Sequence, residues 1–123
     1  MDYDAPAPQG VEPVDANAQR ILARLLTASF PGDDEIARQV AMARSRVIDE
    51  DGSLELSVGG SAPPALVDRR IPVEAEAEDI DGMTFHVLLH VVDGYINELE
   101  VYREDLLPMQ SPIQPDALRV IVL

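Results

Sequence analysis

Between Ile71 and Arg103 the hydrophobic pattern has a period near two, and Asp81-Gly82 and Asp93-Gly94 punctuate it. A period of two sends successive side chains to opposite faces of a strand. Asp-Gly between two such runs is a strong hairpin signal, because glycine accepts the left-handed backbone these turns need. The spacing predicts a three-stranded meander over Ile71–Glu78, Met83–Val91 and Tyr95–Arg103. A sheet with one apolar face needs a second layer to cover it.

That layer lies upstream. Ala18, Ile21, Leu22, Leu25 and Leu26 fall at helical spacing after Asp15, a capping residue, with Arg20 and Arg24 opposite them. Phe30-Pro31-Gly32 breaks this helix. A second helix starts at Asp33, with Asp34 and Glu35 in its first turn, Arg44 in its last, and a thin stripe of Ile36, Val40 and Ala43. Joined by so short a break, the two should form a helical hairpin. Arg46–Ile48 and Leu54–Val58 read as two short strands around Glu50-Asp51-Gly52, and Gly59–Arg70 as a proline-rich connection. The apolar stretch Leu118–Leu123 has the character of one more strand. The expected fold is therefore α+β and two-layered: an N-terminal helical hairpin packed on an antiparallel sheet made of a hairpin plus the three-stranded meander. Residues 1–14, acidic and rich in proline, are expected to be a disordered tail, and residues 15–123 a single domain.

Register follows from the hydrophobic pattern, since a slip of one residue exchanges the faces. A two-residue loop at Asp93-Gly94 would set Val87 opposite Glu100. Three-residue loops, Ile80-Asp81-Gly82 and Val92-Asp93-Gly94, keep one face apolar instead. That face carries Val73, Ala75, Ala77, Phe85, Val87, Leu89, Leu99 and Val101. The other face is then predicted to hold the rows Glu78–Thr84–Tyr102, Glu76–His86–Glu100, Glu74–Leu88–Glu98 and Pro72–His90–Ile96. From Glu74 to Asp105 there are ten acids and one arginine.

Composition narrows the chemistry. The chain has 123 residues, 23 acids, nine basic residues that are all arginine, and a formal charge of −14. With no cysteine, a disulfide framework, a thiolate zinc site and a cysteine nucleophile are excluded. With no lysine, so are a Schiff-base lysine and a phosphate-loop lysine. The negative charge disfavours nucleic acid and anionic membranes as partners and favours a basic protein. The acidic start at Met1-Asp2-Tyr3-Asp4 lacks the features of a secretory signal, and Val87–Val92 is far short of a membrane span, so a cytoplasmic location is expected.

One row carries chemistry worth testing. Glu76–His86–Glu100 would put an imidazole between two carboxylates on neighbouring strands, a set that suits a metal, although a single histidine makes a weak site. His90 would lie ~13 Å away by strand rise. A solvated, salt-bridged row is the plainer reading, and no catalytic residue, metal or cofactor is assigned. The segments Arg70–Glu76, Asp81-Gly82, His86–Gly94 and Glu98–Asp105 together resemble a family of small uncharacterised bacterial proteins, mainly actinobacterial, that is classed as a domain of unknown function. The resemblance spans about Asp15 to Asp105 and implies a shared fold without implying a reaction. The sequence favours a binding protein whose acidic sheet face, Glu74, Glu76, Glu78, His86, Glu98, Glu100 and Tyr102, meets a basic partner, as an immunity- or antitoxin-like inhibitor would. Two alternatives stay open. One is a structural or homodimeric module using the C-terminal apolar stretch. The other is a small metal- or carboxylate-dependent enzyme.

Overall fold

Asp15 sits in extended backbone, and its carboxylate accepts a hydrogen bond from the Ala18 N–H, so helix α1 (Ala16–Leu25) begins at its cap. The computed structural model describes residues 11–123, so most of the expected tail, residues 1–10, lies outside the described residues. Ala18, Ile21, Leu22 and Leu25 are buried, while Leu26, which closes the helix, is only partly so. Gly32 takes φ of 89° ahead of helix α2 (Asp33–Ala41), and a Cβ there would come within 2.9 Å of Val67 Cγ1. The turn therefore needs glycine for its backbone and for its space.

α2 stops before Arg44, which belongs to a strand and not to the helix's last turn. Its buried face also differs from the expected apolar stripe, because Gln39 is fully buried beside Ile36. The Gln39 amide donates to the Pro63 and Gly94 carbonyls, and its oxygen accepts the Ile96 N–H. Every polar atom of this side chain is engaged, which is the condition for burying it at low cost.

The strands are β1 (Glu12–Pro13), β2 (Ala43–Val47), β3 (Leu54–Val58), β4 (Val73–Glu78), β5 (Thr84–Val92), β6 (Tyr95–Arg103) and β7 (Arg119–Val122). They form one antiparallel sheet in the order β1-β2-β3-β6-β5-β4-β7. The expected sheet of a hairpin plus a three-stranded meander is corrected to seven strands, with β1 and β7 added at the edges. β3 joins β6 through Leu54 opposite Leu99 and Glu55 opposite Glu98, and the Ser53 hydroxyl continues the seam by bonding both the carbonyl and the N–H of Val101. The C-terminal stretch does form a strand, β7, against β4. Glu12 and Pro13, assigned to the tail by sequence, pair with β2, and Val14 is buried.

All eight residues of the expected apolar face are buried, and they form one core with the apolar residues of α1 and α2 and with Leu118. The sheet therefore has an inner face under the helices and an outer face that no layer of the described residues covers. No described helix is long and apolar enough to cross a membrane.

Candidate functional site

The outer face is set by two turns, and they behave differently. Glu78 faces Thr84, and Asp79 N–H bonds the Met83 carbonyl, leaving the expected three-residue loop Ile80-Asp81-Gly82. The β5–β6 turn instead closes with two residues. Val92 faces Tyr95, and Asp93 and Gly94 have φ of 53° and 85°, the pair of left-handed residues that a tight hairpin turn of this twist requires. Unbroken, that loop would bring glutamates to the core. One extra residue in β6 prevents it. His90 faces Glu98, but Val91 faces Ile96, so Asn97 is a bulge without a partner.

The expected rows are corrected accordingly. Each β6 residue beyond the bulge stands two positions further along β5 than predicted, a shift that preserves the faces and changes every neighbour. The observed rows are Arg119–Glu76–His86–Tyr102, Ile121–Glu74–Leu88–Glu100 and His90–Glu98–Glu55–Arg46. Ile96, expected on the outer face, is buried, and Tyr95 is half-buried with its hydroxyl donating to the Ala62 carbonyl.

All seven residues singled out from the sequence lie on the outer face, but the central row of the prediction does not exist. His86 stands between Glu76 and Tyr102, not between two carboxylates, and its Nε2 is 2.9 Å from Glu104 Oε1. Its ring stacks on Tyr102 with centroids 5.1 Å apart, and its buried Nδ1 has no partner among the described residues. Glu76 and Glu78 face Arg119, whose guanidinium holds the Glu78 carboxyl below the usual carboxylate range. Arg46 pairs with Glu55 at the far side, with N···O of 2.7 Å. These arginines lie outside the segment whose charge was counted from sequence, and only the pairing of β7 with β4 and of β2 with β3 brings them in.

The shift gathers a different triad. Ligand atoms of His90, Glu98 and Glu100 lie within 4.8 Å of one another. His90 Nε2 is 2.8 Å from Glu100 Oε1, and Arg70 Nε lies 3.0 Å from His90 Nδ1. A guanidinium N–H can only donate, so Nδ1 accepts and the ring proton sits on Nε2, where it donates to Glu100. The geometry is a hydrogen-bonded relay from Arg70 through His90 to Glu100. A cation using this imidazole would have to displace an arginine.

A second charged cluster sits at the end of the inner face. Arg103 is fully buried and bonds Asp79 at 2.9 Å, Asp81 at 2.8 Å and Asp105 at 2.7 Å. Asp79 also accepts from the Ile80 and Gln110 N–H groups and from the Ser111 hydroxyl. Burial pushes the Asp79 carboxyl up, but these hydrogen bonds outweigh it and hold the group well below the usual range. With its oxygens fully engaged, the cluster is a clasp between the β4–β5 turn and the segment after β6. Arg103 read from sequence only as the one cation among ten acids, although alternation puts it on the same face as Leu99 and Val101 in either register; the three aspartates that receive it come from outside the strand pairing.

What remains on the outer face is a stripe of carboxylates around half-buried Leu88 and Tyr102. Glu74 and Glu98 have no ion-pair partner among the described residues. Burial raises the Tyr102 phenol above its ordinary value, and the charges of Glu74, Glu100 and Glu104 add to it. In an NMR titration of ring-labelled tyrosine, Tyr102 should titrate above 10.0, and changing Glu74 and Glu100 to glutamine should bring it back toward that value. Titration at or below the ordinary value in the parent protein would show that the carboxylates do not act on the ring.

No curated protein and no solved structure matches the chain. The sequence pattern of the family described as Domain of unknown function (DUF6984) matches residues 12–112, which take in both helices and strands β1 to β6. The chain, with its helix-backed antiparallel sheet, belongs to that family of domains of unknown function.

Proposed function

We propose that this chain is a protein-binding module whose open outer sheet face docks a basic partner, in the manner of an immunity- or antitoxin-like inhibitor. The observation that carries the reading is the stripe of Glu74, Glu98 and Glu100 around half-buried Leu88 and Tyr102, on a face that no layer of the described residues covers. Apolar and aromatic groups ringed by charge are the ingredients of a docking surface, with the charges steering encounter and the central side chains supplying contact. Glu98 stands directly opposite Glu55, whose charge Arg46 already meets, so Glu98 is the member of that pair that a cationic partner would relieve. Glu76 and Glu78 contribute less, because Arg119 already faces them. The carboxylates lie on an open face and not in a cleft, so catalysis is not part of the reading.

The test is affinity capture at low salt followed by binding measurements on the captured protein. The partner should be rich in lysine or arginine, and affinity should fall steeply as ionic strength rises. Changing Glu74, Glu98 and Glu100 together to glutamine should weaken the complex about tenfold or more while leaving the thermal midpoint unchanged or slightly raised. A triple variant that binds the partner as tightly as the parent would leave the acidic face without a role in binding.

A further inference from the structure

The sheet has two edges, and they are unlike. At one, β1 is two residues long and contains Pro13, which has no N–H to offer. Short edge strands and proline both discourage further pairing. At the other edge β7 has neither protection. It bonds β4 on one side, and no strand among the described residues lies on its other side. The Leu123 N–H bonds the Pro72 carbonyl, which fixes the phase of the ladder. Arg119, Ile121 and Leu123 turn their backbone groups toward β4, so Val120 and Val122 turn their N–H and C=O groups outward. The side chains beside them are exposed: Ile121 is 37%, Val122 47% and Leu123 42% accessible.

We propose that β7 pairs antiparallel with β7 of a second copy of this chain, about a two-fold axis at Ile121. In this register Val120 of each copy faces Val122 of the other, and every outward N–H and C=O of the two residues finds a partner. Ile121 meets its counterpart on the outer face. The valines meet on the inner face, where the helices leave Val122 half-uncovered. The result is one sheet running through both copies and an interface that maps onto itself, as a two-fold requires.

Charge placement selects a second copy over a foreign strand. The chain carries a formal −14, yet Arg119–Leu123 contains no acid. The carboxylates paired opposite it, Glu74 and Glu76, are one strand back on β4. Across the proposed dimer the two β4 strands lie three strand spacings apart, ~14 Å. That exceeds the screening length of ~8 Å at physiological ionic strength. Arg119 from each copy stands between them, already facing Glu76 and Glu78. Two such acidic molecules can therefore approach along this edge, whereas a basic peptide would meet an arginine and an apolar strand.

Sedimentation and light scattering over a wide range of concentration test the proposal, with the full chain as the sample. The parent should pass from monomer to dimer as concentration rises. Val120→Pro removes an outward N–H without touching the bonds to β4, as edge strands tolerate. Ile121→Lys places like charges opposite each other across the axis while facing its own Glu74 within the monomer. Each should raise the dimer dissociation constant about tenfold or more with circular dichroism unchanged. Hydrogen exchange on the parent gives a readout that needs no variant: the Val120 and Val122 amides should gain protection as concentration rises. A parent that stays monomeric up to millimolar concentration would overturn the proposal. So would a dimer that survives both substitutions, or protection of the two amides that ignores concentration, since a segment of the same chain or another ligand would then cover the edge. The glutamine variant of the outer face leaves β7 untouched, so this outcome is independent of the proposed docking surface.

Discussion

Asp79→Ala is expected to unfold the domain at room temperature or to lower its thermal midpoint by on the order of 10–20 °C. The Asp79 side chain is fully buried and receives four groups: the Ile80 and Gln110 N–H, the Ser111 hydroxyl and the Arg103 guanidinium. Truncation leaves the buried guanidinium short of an anion and leaves donors without acceptors, two of the costliest single changes available to a folded chain. The cluster also makes stability depend on pH, with a definite sign. The Asp79 carboxyl titrates below its ordinary 3.8 in the folded protein. Its contribution is therefore fully present above the unfolded value and is lost as pH falls through the folded one. Asp105, held low mainly by its hydrogen bonds from Arg103, acts in the same direction. Urea unfolding of the parent should show stability flat near neutrality and falling below about pH 4. In Asp79→Asn that fall should be shallower, with lower stability at pH 7. An acid profile as steep as the parent's would remove Asp79 from the account.

Leu25→Ala and Leu89→Ala should each cost about 2–5 kcal/mol, measured by denaturant unfolding. Both side chains are fully buried, one from α1 and one from the inner face of β5, within one continuous core. The loss combines transfer of the deleted methyl groups with the cavity left behind, and against an ordinary net stability of about 5–15 kcal/mol it is large. A small effect at both sites would mean that the helix layer and the sheet do not share a core.

How much of this was legible in the sequence depends on the length scale of the signal. Face assignment was legible except at Ile96, because alternation is a local property: Val73, Ala75, Ala77, Phe85, Val87, Leu89, Leu99 and Val101 are all buried as expected. The Asp15 cap and the Phe30-Pro31-Gly32 break were legible for the same reason. Register across the β5–β6 hairpin was not. Alternation constrains register only modulo two, so a two-residue turn plus a one-residue bulge satisfies it as well as a three-residue loop. A clue did exist. Ile96 and Leu99 are apolar residues three apart in one predicted strand, a spacing that regular alternation cannot place on one face. The pairing of β3 with β6 and of β7 with β4 is long-range, and nothing local in Leu54 or Arg119 announces its neighbour. The candidate site suffered most from this, since its chemistry lies in cross-strand neighbours: His86 meets Glu104, and His90 meets Glu100 and Arg70.

The bulge at Asn97 has a consequence for how chains of this fold can differ in length. Removing Asn97 would leave Ile96, Glu98 and Leu99 in strict alternation, opposite Val91, His90 and Leu89 as they are now. No partner in the hairpin would change. What would go is the local bend in β6 beside the Ile96 amide, which bonds Gln39 and so ties the strand to α2. A one-residue deletion here should therefore be read as a change in how the sheet leans on its helix, and not as a frameshift of the strand. Relatives that lack this residue would keep the outer face unaltered and carry the difference in the buried contact between helix and hairpin.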